Sequence, residues 1–274
     1  MIQVRMKVTD LSRTRFAYSP LIEVAESIYK LSSGNIHPLY QSWYEEVRPR
    51  LHRTDLDLLC AVTPANGRIA DFYLHWATSP TTTIDQQLDQ VAALPAEFVR
   101  QKIERVWNGG RVPARAAELF SSDGPRRLAD ALGQYWSIAI EPHWPAIRRV
   151  LDDDVAHRAG GLATNGLDGL LGGLHREVRV REETMQIGDG GLQQQDTLSG
   201  AGMYLVPSVF LWPEVIFAVE DDGPARLMYP ARGIGAFQET AGDVDGEALA
   251  ALIGRSRAEI LLALATPHTT TELA

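Results

Sequence analysis

Aromatic side chains that also carry polar groups cluster at separate points of the 274-residue sequence. One cluster lies in a predicted helical region at 72–76, a second at 135–144, and a third among predicted strands at 204–229. Such side chains suit a pocket for an apolar ligand that also needs orienting hydrogen bonds. Packing in the core is the alternative for each, because each buries a large apolar area. The candidate ligand-binding residues are Tyr73, Trp76, Tyr135, Trp136 and Trp144.

Arg232 stands between apolar residues in the segment Tyr229-Pro-Ala-Arg-Gly233. A guanidinium group in this setting is suited to an anionic ligand or to an acidic residue of another domain. A structural ion pair is the alternative, and it is the more common use of such an arginine. Arg232 is therefore the sixth candidate ligand-binding residue.

Metal-binding and catalytic motifs find little support in the sequence. The seven histidines are scattered without the short spacing of a metal-binding pair, and Cys60 is the only cysteine. The acidic run 152–154 lacks the spacing of a calcium loop and is typical of a solvated helix face. Ser208 lies outside a Gly-x-Ser-x-Gly motif, and the glycine pairs lack the context of a phosphate-binding loop. We expect no metal, no cofactor and no enzymatic activity.

The composition limits the class of protein further. Hydrophobic residues make up 45% of the chain and charged residues 22%, so the chain can bury a core. The formal net charge of −9 excludes a basic surface that coats nucleic acid along the whole chain, but not a local DNA-binding element. Apolar runs are too short to span a bilayer, and the first residues do not form a secretory signal. We therefore expect a cytoplasmic protein without a membrane partner.

Helical and extended patterns divide the first 240 residues. Residues 2–8 alternate between apolar and polar types, which predicts a half-buried strand. Residues 20–173 carry apolar residues at helical spacing, broken by turns and by Pro142 and Pro145. From about residue 175 the pattern changes to strands within 177–230, with a glycine-rich loop at 188–202. Residues 177–181 and 184–187 alternate, and Glu182-Glu183 between them is short enough for a hairpin turn. The sequence predicts an α+β fold, mostly helical, with one antiparallel sheet.

A last helical segment begins near Asp245. Gly254 interrupts its spacing, which predicts that two helices meet there. Pro267 ends the second helix, and the residues Thr269-x-x-Glu272 form a capping box that opens another.

This C-terminal region resembles the start of an ArsR-type winged helix. The resemblance rests on residues 252–265, Leu-Ile-Gly-Arg-Ser-Arg-Ala-Glu-Ile-Leu-Leu-Ala-Leu-Ala, and on the Thr-rich stretch 266–274 ending in Glu-Leu-Ala. Residues 1–240 are similar to the large N-terminal domain of a group of bacterial ArsR-like regulators. The similar stretches are Pro20-Leu-Ile-Glu-Val-Ala-Glu-Ser27, His37-Pro-Leu-Tyr40, Tyr135-Trp136, Pro142-His-Trp-Pro145, Leu205-Val-Pro-Ser-Val-Phe-Leu-Trp-Pro213 and Tyr229-Pro-Ala-Arg-Gly233.

The resemblance implies a DNA-binding transcriptional regulator. Residues 1–240 would sense a small molecule or a partner and support dimerisation. The aromatic clusters indicate that this molecule is apolar or aromatic. Residues 245–274 would form part of a winged helix-turn-helix, in which Arg255 and Arg257 approach phosphate groups. Thr270 and Thr271 would begin the element that presents the recognition helix. The alternatives are that these residues only cap and solvate helices, and that the chain is a sensor or protein-interaction module that does not bind DNA.

Two further expectations concern assembly and DNA reading. Because such domains usually read two half-sites, we expect a homodimer to which apolar residues of the 249–264 segment contribute. Family members continue past Glu-Leu-Ala into a recognition helix and a wing, which this sequence does not contain. We therefore expect these 274 residues alone not to read a specific DNA sequence.

Overall fold

The computed structural model describes residues 1–66, 68–74, 78–188, 194–219, 223–237, 250–251 and 253–263. The chain divides into two compact units, residues 1–237 and residues 238–274. Helices account for about 56% of the structure, and the strands form separate sheets. The predicted α+β class is therefore confirmed. No helix among these residues is both long enough and apolar enough to cross a membrane.

Local sequence signals explain where the helices of the first unit begin. The hydroxyl of Ser19 accepts a hydrogen bond from the backbone N–H of Ile22, and Pro20 occupies the first helical position. Thr83 and Gln86 form a capping box at the start of another helix. The α-helices are α1 Val8–Ser12, α2 Pro20–Ser32, α3 Gln41–Val47, α4 Leu56–Val62, α5 Ile84–Ala92, α6 Ala96–Val106, α7 Ala114–Ala117, α8 Gly124–Tyr135 and α9 Trp144–Gly172.

Of the two prolines expected to interrupt the long helical region, Pro142 lies in the interruption and Pro145 directly after it. The end of α8 continues as a π-helical turn, Trp136–Ile140, and then as a short 3-10 turn, Glu141–His143, that contains Pro142. Pro145 lies in the first turn of α9, where its missing N–H leaves no helical hydrogen bond unmade. Gly166, with φ of 67°, breaks α9 near its C-terminal end.

The strands of the described residues form two four-stranded sheets. Their order is β3-β4-β1-β5 in the first sheet and β2-β6-β8-β7 in the second. The sheets pack on a shared apolar cluster, to which the end of α9 also contributes. The strands are β1 Ile2–Arg5, β2 Arg15–Phe16, β3 Val178–Arg181, β4 Thr184–Ile187, β5 Gln194–Thr197, β6 Met203–Ser208, β7 Ile216–Ala218 and β8 Ala225–Pro230.

The prediction of one antiparallel sheet is wrong. In the first sheet β1 pairs antiparallel with β4 but parallel with β5, and in the second β6 pairs parallel with both β2 and β8. The alternation of side chains fixes which face of a strand is buried, but it does not select the neighbouring strand. The predicted β3–β4 hairpin is present, because its partners are close in sequence.

The predicted strand at 2–8 is too long. It ends at Arg5, and Val8 begins α1 with 73% of its surface exposed. The cause is Asp10, whose carboxylate accepts a hydrogen bond from the backbone N–H of Lys7 and thereby caps α1. The other oxygen of Asp10 accepts from the backbone N–H of Gly202, which ties this turn to the start of β6.

In the second unit, residues 250–251 and 253 are helical, and a helix that we label α10 spans Arg255–Ala263. Gly254 lies between them with φ of 87°, so the predicted interruption is confirmed. The capping box at 269–272 lies outside the described residues. The partial winged helix therefore stays a prediction.

Candidate functional site

Helix α2 carries two glutamates on a face that is otherwise apolar. Glu23 and Glu26 are both buried, beside Leu21, Val24 and Ile28. Residues three apart lie on the same side of a helix, so the two carboxyl groups approach the same part of the structure. That part is the stretch from the end of β6 to the start of β7, residues 208–216.

Glu23 is held by hydrogen bonds from this stretch. Its carboxyl oxygens accept from the Ser208 hydroxyl at 3.1 Å and from the backbone N–H groups of Val209 and Phe210 at 2.9 Å and 3.1 Å. These bonds join two of the sequence stretches on which the family resemblance rests, 20–27 and 205–213. Glu23 therefore fixes the backbone that follows β6 against α2.

Glu26 lies one turn further along α2 and faces a cavity of about 210 Å³. Its residue is 5% exposed, and no hydrogen bond to its carboxyl group is found among the described residues. The exposed residues Arg68 and Glu214 lie at the rim of the cavity. The remaining lining is mostly apolar and comprises Tyr29, Ile69, Leu211, Val215 and Ile216.

The electrostatics of this cavity follow from burial. Desolvation raises the pKa of Glu26 to about 8, although the neighbouring Lys30 acts in the opposite direction. Desolvation also raises the pKa of Glu23 to about 7, against the effect of its hydrogen-bond donors. Burial lowers the pKa of Lys30, whose ammonium group donates to the carbonyl of Trp212 at 3.0 Å. A carboxyl with a perturbed pKa in a cleft is typical of a functional site.

Tyr73, Tyr135, Trp136 and Trp144, the described members of the predicted aromatic set, do not line this cavity. The hydroxyls of Tyr73 and Tyr135 lie 3.0 Å from the hydroxyls of Thr63 and Ser27, and both tyrosines are fully buried in the core. Their polar atoms already have partners inside the protein.

The structure brings two of the predicted tryptophans together. Trp136 and Trp144 form an edge-to-face pair with ring centroids 5.2 Å apart, across the π-helical turn. Trp76 lies outside the described residues. A ligand-binding role for these aromatic residues stays a prediction.

Arg232 lines a second cavity of about 310 Å³, together with His157, Arg158 and Asn165. Its side chain is exposed, and its backbone N–H donates to Asp154 at 3.0 Å. Asp154 also accepts from Arg158 and from the Tyr229 hydroxyl. The guanidinium of Arg158 is therefore already neutralised by a carboxylate, and we assign no ligand to this cavity.

The interpretation of residues 152–154 as a solvated face is wrong for Asp154, whereas Asp152 and Asp153 are exposed. Asp154 is 1% exposed because α9 turns it toward β8. Asp152 accepts hydrogen bonds from Tyr18 and Arg148. Three consecutive helical residues point in different directions, so one of them reaches the core.

The predicted DNA-contacting residues lie in the second unit. Arg255 and Arg257 are both exposed in the first turn of α10. Thr270 and Thr271 lie outside the described residues. A group of three or more potential metal ligands is not found within the part of the chain that the structure describes.

A protein family matches most of the chain, including this site. The family described as "Family of unknown function (DUF5937)" matches residues 2–134 and 139–235. The chain belongs to the DUF5937 family. No curated protein and no solved structure matches it. The DUF5937 match contains every residue that lines the cavity at Glu26, whereas α10 lies beyond its end. Its break at 135–138 falls where α8 passes into the π-helical turn.

Sequence reasoning missed Glu23 and Glu26, although the sequence carries a signal for both. The two carboxyls interrupt the apolar face of a helix whose neighbouring positions are Leu, Val and Ile. A buried carboxyl is rare without a partner or a function, so this placement marks the pair as a candidate site.

Proposed function

We propose that this DUF5937 protein is a DNA-binding transcriptional regulator of the cytoplasm whose residues 1–237 bind a small-molecule effector. The observation that carries the effector site is the cavity at Glu26, where a buried carboxyl without a hydrogen-bond partner among the described residues meets an apolar wall. The DNA-binding part of the proposal rests on the resemblance of 252–274 to the start of a winged helix.

The way a ligand changes the protein follows from the contacts of α2. Its Glu23 fixes residues 208–210, while Glu26 and Tyr29 face Leu211–Ile216 across the cavity. A ligand in the cavity contacts both α2 and this segment, so it favours the conformation in which they lie at the observed separation. An effector regulates only to the extent that it binds this conformation better than others.

The test is a gel-shift titration at low salt with the protein as encoded in its genome and the DNA upstream of its own gene. We expect sequence-selective binding that scrambled DNA of equal length does not compete away. The Glu26→Gln variant is expected to bind the same DNA but to lose the response to the effector. If Glu26→Gln still responds to the effector, the effector binds at another site.

Absence of sequence-selective DNA binding would overturn the regulator proposal. If small molecules then still raise the melting temperature, the alternative of a sensor or interaction module without DNA binding is favoured, because a ligand that binds the native state stabilises it.

A further inference from the structure

We propose that the cavity at Glu26 takes an organic cation, a molecule with one protonated amine and a compact apolar body. This inference rests on the proposed effector site and adds the chemical class of its occupant. It follows from the charges, the walls and the size of the cavity.

The buried part of the cavity contains a carboxyl group that a ligand cation can ionise. At the rim, the exposed Arg68 and Glu214 carry opposite charges that offset each other. Deeper in, the Glu26 carboxyl forms no ion pair within 4 Å among the described residues, although Lys30, one turn along α2, interacts with it electrostatically. Lys30 is committed to the Trp212 carbonyl. A buried carboxylate needs a cationic partner to be stable, and a ligand ammonium supplies one.

The walls select the rest of the ligand. Ile69, Leu211, Val215 and Ile216 offer apolar surface, and Tyr29 adds an aromatic ring. A cavity of about 150 Å³ is enough to hold benzene. The observed 210 Å³ therefore accommodates one ring and a short aminoalkyl substituent, whereas a longer body would extend past the rim.

Binding of such a ligand is expected to change the protonation state of Glu26. The pKa of Glu26 near 8 leaves this carboxyl largely protonated at pH 7, and an ammonium group beside it favours the ionised form. The other ionisable groups around it are Glu23 and Lys30 on α2, Glu214 after β6, and Arg68. Binding at pH 7 therefore releases up to about one proton to the buffer.

The experiment is calorimetric titration of the full chain with three probes that share a phenylethyl group: phenethylamine, 2-phenylethanol and 3-phenylpropanoate. Titrations at pH 7 in buffers of different ionisation enthalpy count the protons released. We expect phenethylamine to bind about 10- to 100-fold more tightly than the alcohol, as a charge-assisted contact predicts, and the carboxylate to bind most weakly.

Three variants assign the effect to the cavity. Glu26→Gln keeps the shape but is expected to abolish both the amine preference and the proton release. Ile216→Trp fills the cavity and is expected to abolish binding while Glu26 remains, so the proposal stays testable if Glu26→Gln does not fold. Glu183→Gln, in the exposed turn between β3 and β4, is the control and is expected to behave like the wild type.

Several outcomes overturn the inference. Equal binding of the amine and the alcohol, or amine binding that is unchanged in Glu26→Gln, shows that the carboxyl does not select a cation. Tighter binding of the carboxylate than of the amine also overturns the inference. If Ile216→Trp abolishes that binding, the cavity is still an effector site. Absence of binding by all three probes overturns the cation assignment, while the gel-shift titration decides the regulator proposal separately.

Discussion

Glu23 and Glu26 are three residues apart on one helix, yet their surroundings differ. Glu23 accepts from the hydroxyl of Ser208 and from two backbone N–H groups, whereas no hydrogen bond to Glu26 is found in the described part of the chain. Burial raises both pKa values, and the raise is larger at Glu26, which lacks hydrogen-bond donors. Glu23 therefore supports the structure, while Glu26 is available to a ligand.

The pKa of Glu26 makes stability depend on pH. Its folded-state pKa near 8 lies above the ordinary value of 4.5, so between these values the folded protein binds more protons than the unfolded chain. The free energy of unfolding therefore falls as pH rises through this window. We expect Glu26→Gln to match the wild type near pH 4.5 and to exceed it at pH 8.5 by a few kcal/mol.

Urea unfolding at pH 4.5, 6.5 and 8.5 measures this difference. In the Glu26→Gln variant, Glu23 still has a pKa near 7. The free energy of unfolding of this variant therefore also falls as pH rises, but by less than that of the wild type. Glu183→Gln serves as the exposed control. Identical pH dependence of the wild type and Glu26→Gln would contradict the assignment of a raised pKa to Glu26.

Removing each carboxyl separately tests their different roles. Glu23→Ala leaves a hydroxyl and two backbone N–H groups without an acceptor in the core, which costs on the order of 3–5 kcal/mol of unfolding free energy. Glu26→Ala is the matched control, because it deletes the same atoms from the same helix without leaving a donor unpaired. We expect a much smaller loss in urea unfolding at pH 6. Equal losses would show that the hydrogen bonds of Glu23 are not what stabilises this region.

At the scale of elements, the Asp154 carboxylate of α9 contacts both β8 and the residue pair that follows it. Asp154 accepts from Arg158 on its own helix, from the Tyr229 hydroxyl at 2.8 Å, and from the backbone N–H of Arg232. Arg158 is itself only 6% exposed and also donates to the carbonyl of Gly173. This network fixes the end of α9 against the second sheet.

Removing the Asp154 carboxylate is expected to lower the free energy of unfolding more than removing one of its hydrogen bonds. Asp154→Ala leaves the Arg158 cation buried without its partner, a loss of about 3–5 kcal/mol. Tyr229→Phe removes one donor and is expected to cost about 1 kcal/mol. Asp153→Ala changes the exposed neighbour and should stay within about 0.5 kcal/mol of the wild type. Chemical unfolding of the three variants measures these losses in unfolding free energy. An Asp154→Ala variant as stable as the wild type would contradict the predicted order.

At the scale of the whole molecule, the predicted homodimer can be tested through α10. Ile260 and Leu261 are exposed on this helix, at 44% and 53%. We expect the wild type to sediment as a dimer at micromolar concentration and Leu261→Glu to sediment as a monomer, because a charge disfavours burial in an apolar contact. Leu162→Glu, at an exposed leucine of α9, is the control and should remain dimeric. A monomeric wild type would refute the prediction.

The sequence by itself determined the elements whose signals are local. Ser19 with Pro20 begins α2, the Thr83 capping box begins α5, Gly254 separates two helical stretches, and the β3–β4 hairpin closes over two residues. In each case the residues that fix the backbone lie within a few positions of one another. These elements and the α+β class could therefore be predicted without knowing what packs against them.

Only the tertiary structure decided which distant residues meet. Tyr135 finds its hydroxyl partner at Ser27, and β1 acquires one parallel and one antiparallel neighbour. Glu23 reaches the backbone of Val209, 186 positions away, while Glu26 is left facing a cavity. Periodicity states which face of an element is apolar, but not which surface covers it, because that choice depends on the packing of the whole chain. The cavity at Glu26 is made by such a choice, which is why the spacing of the aromatic residues did not indicate it.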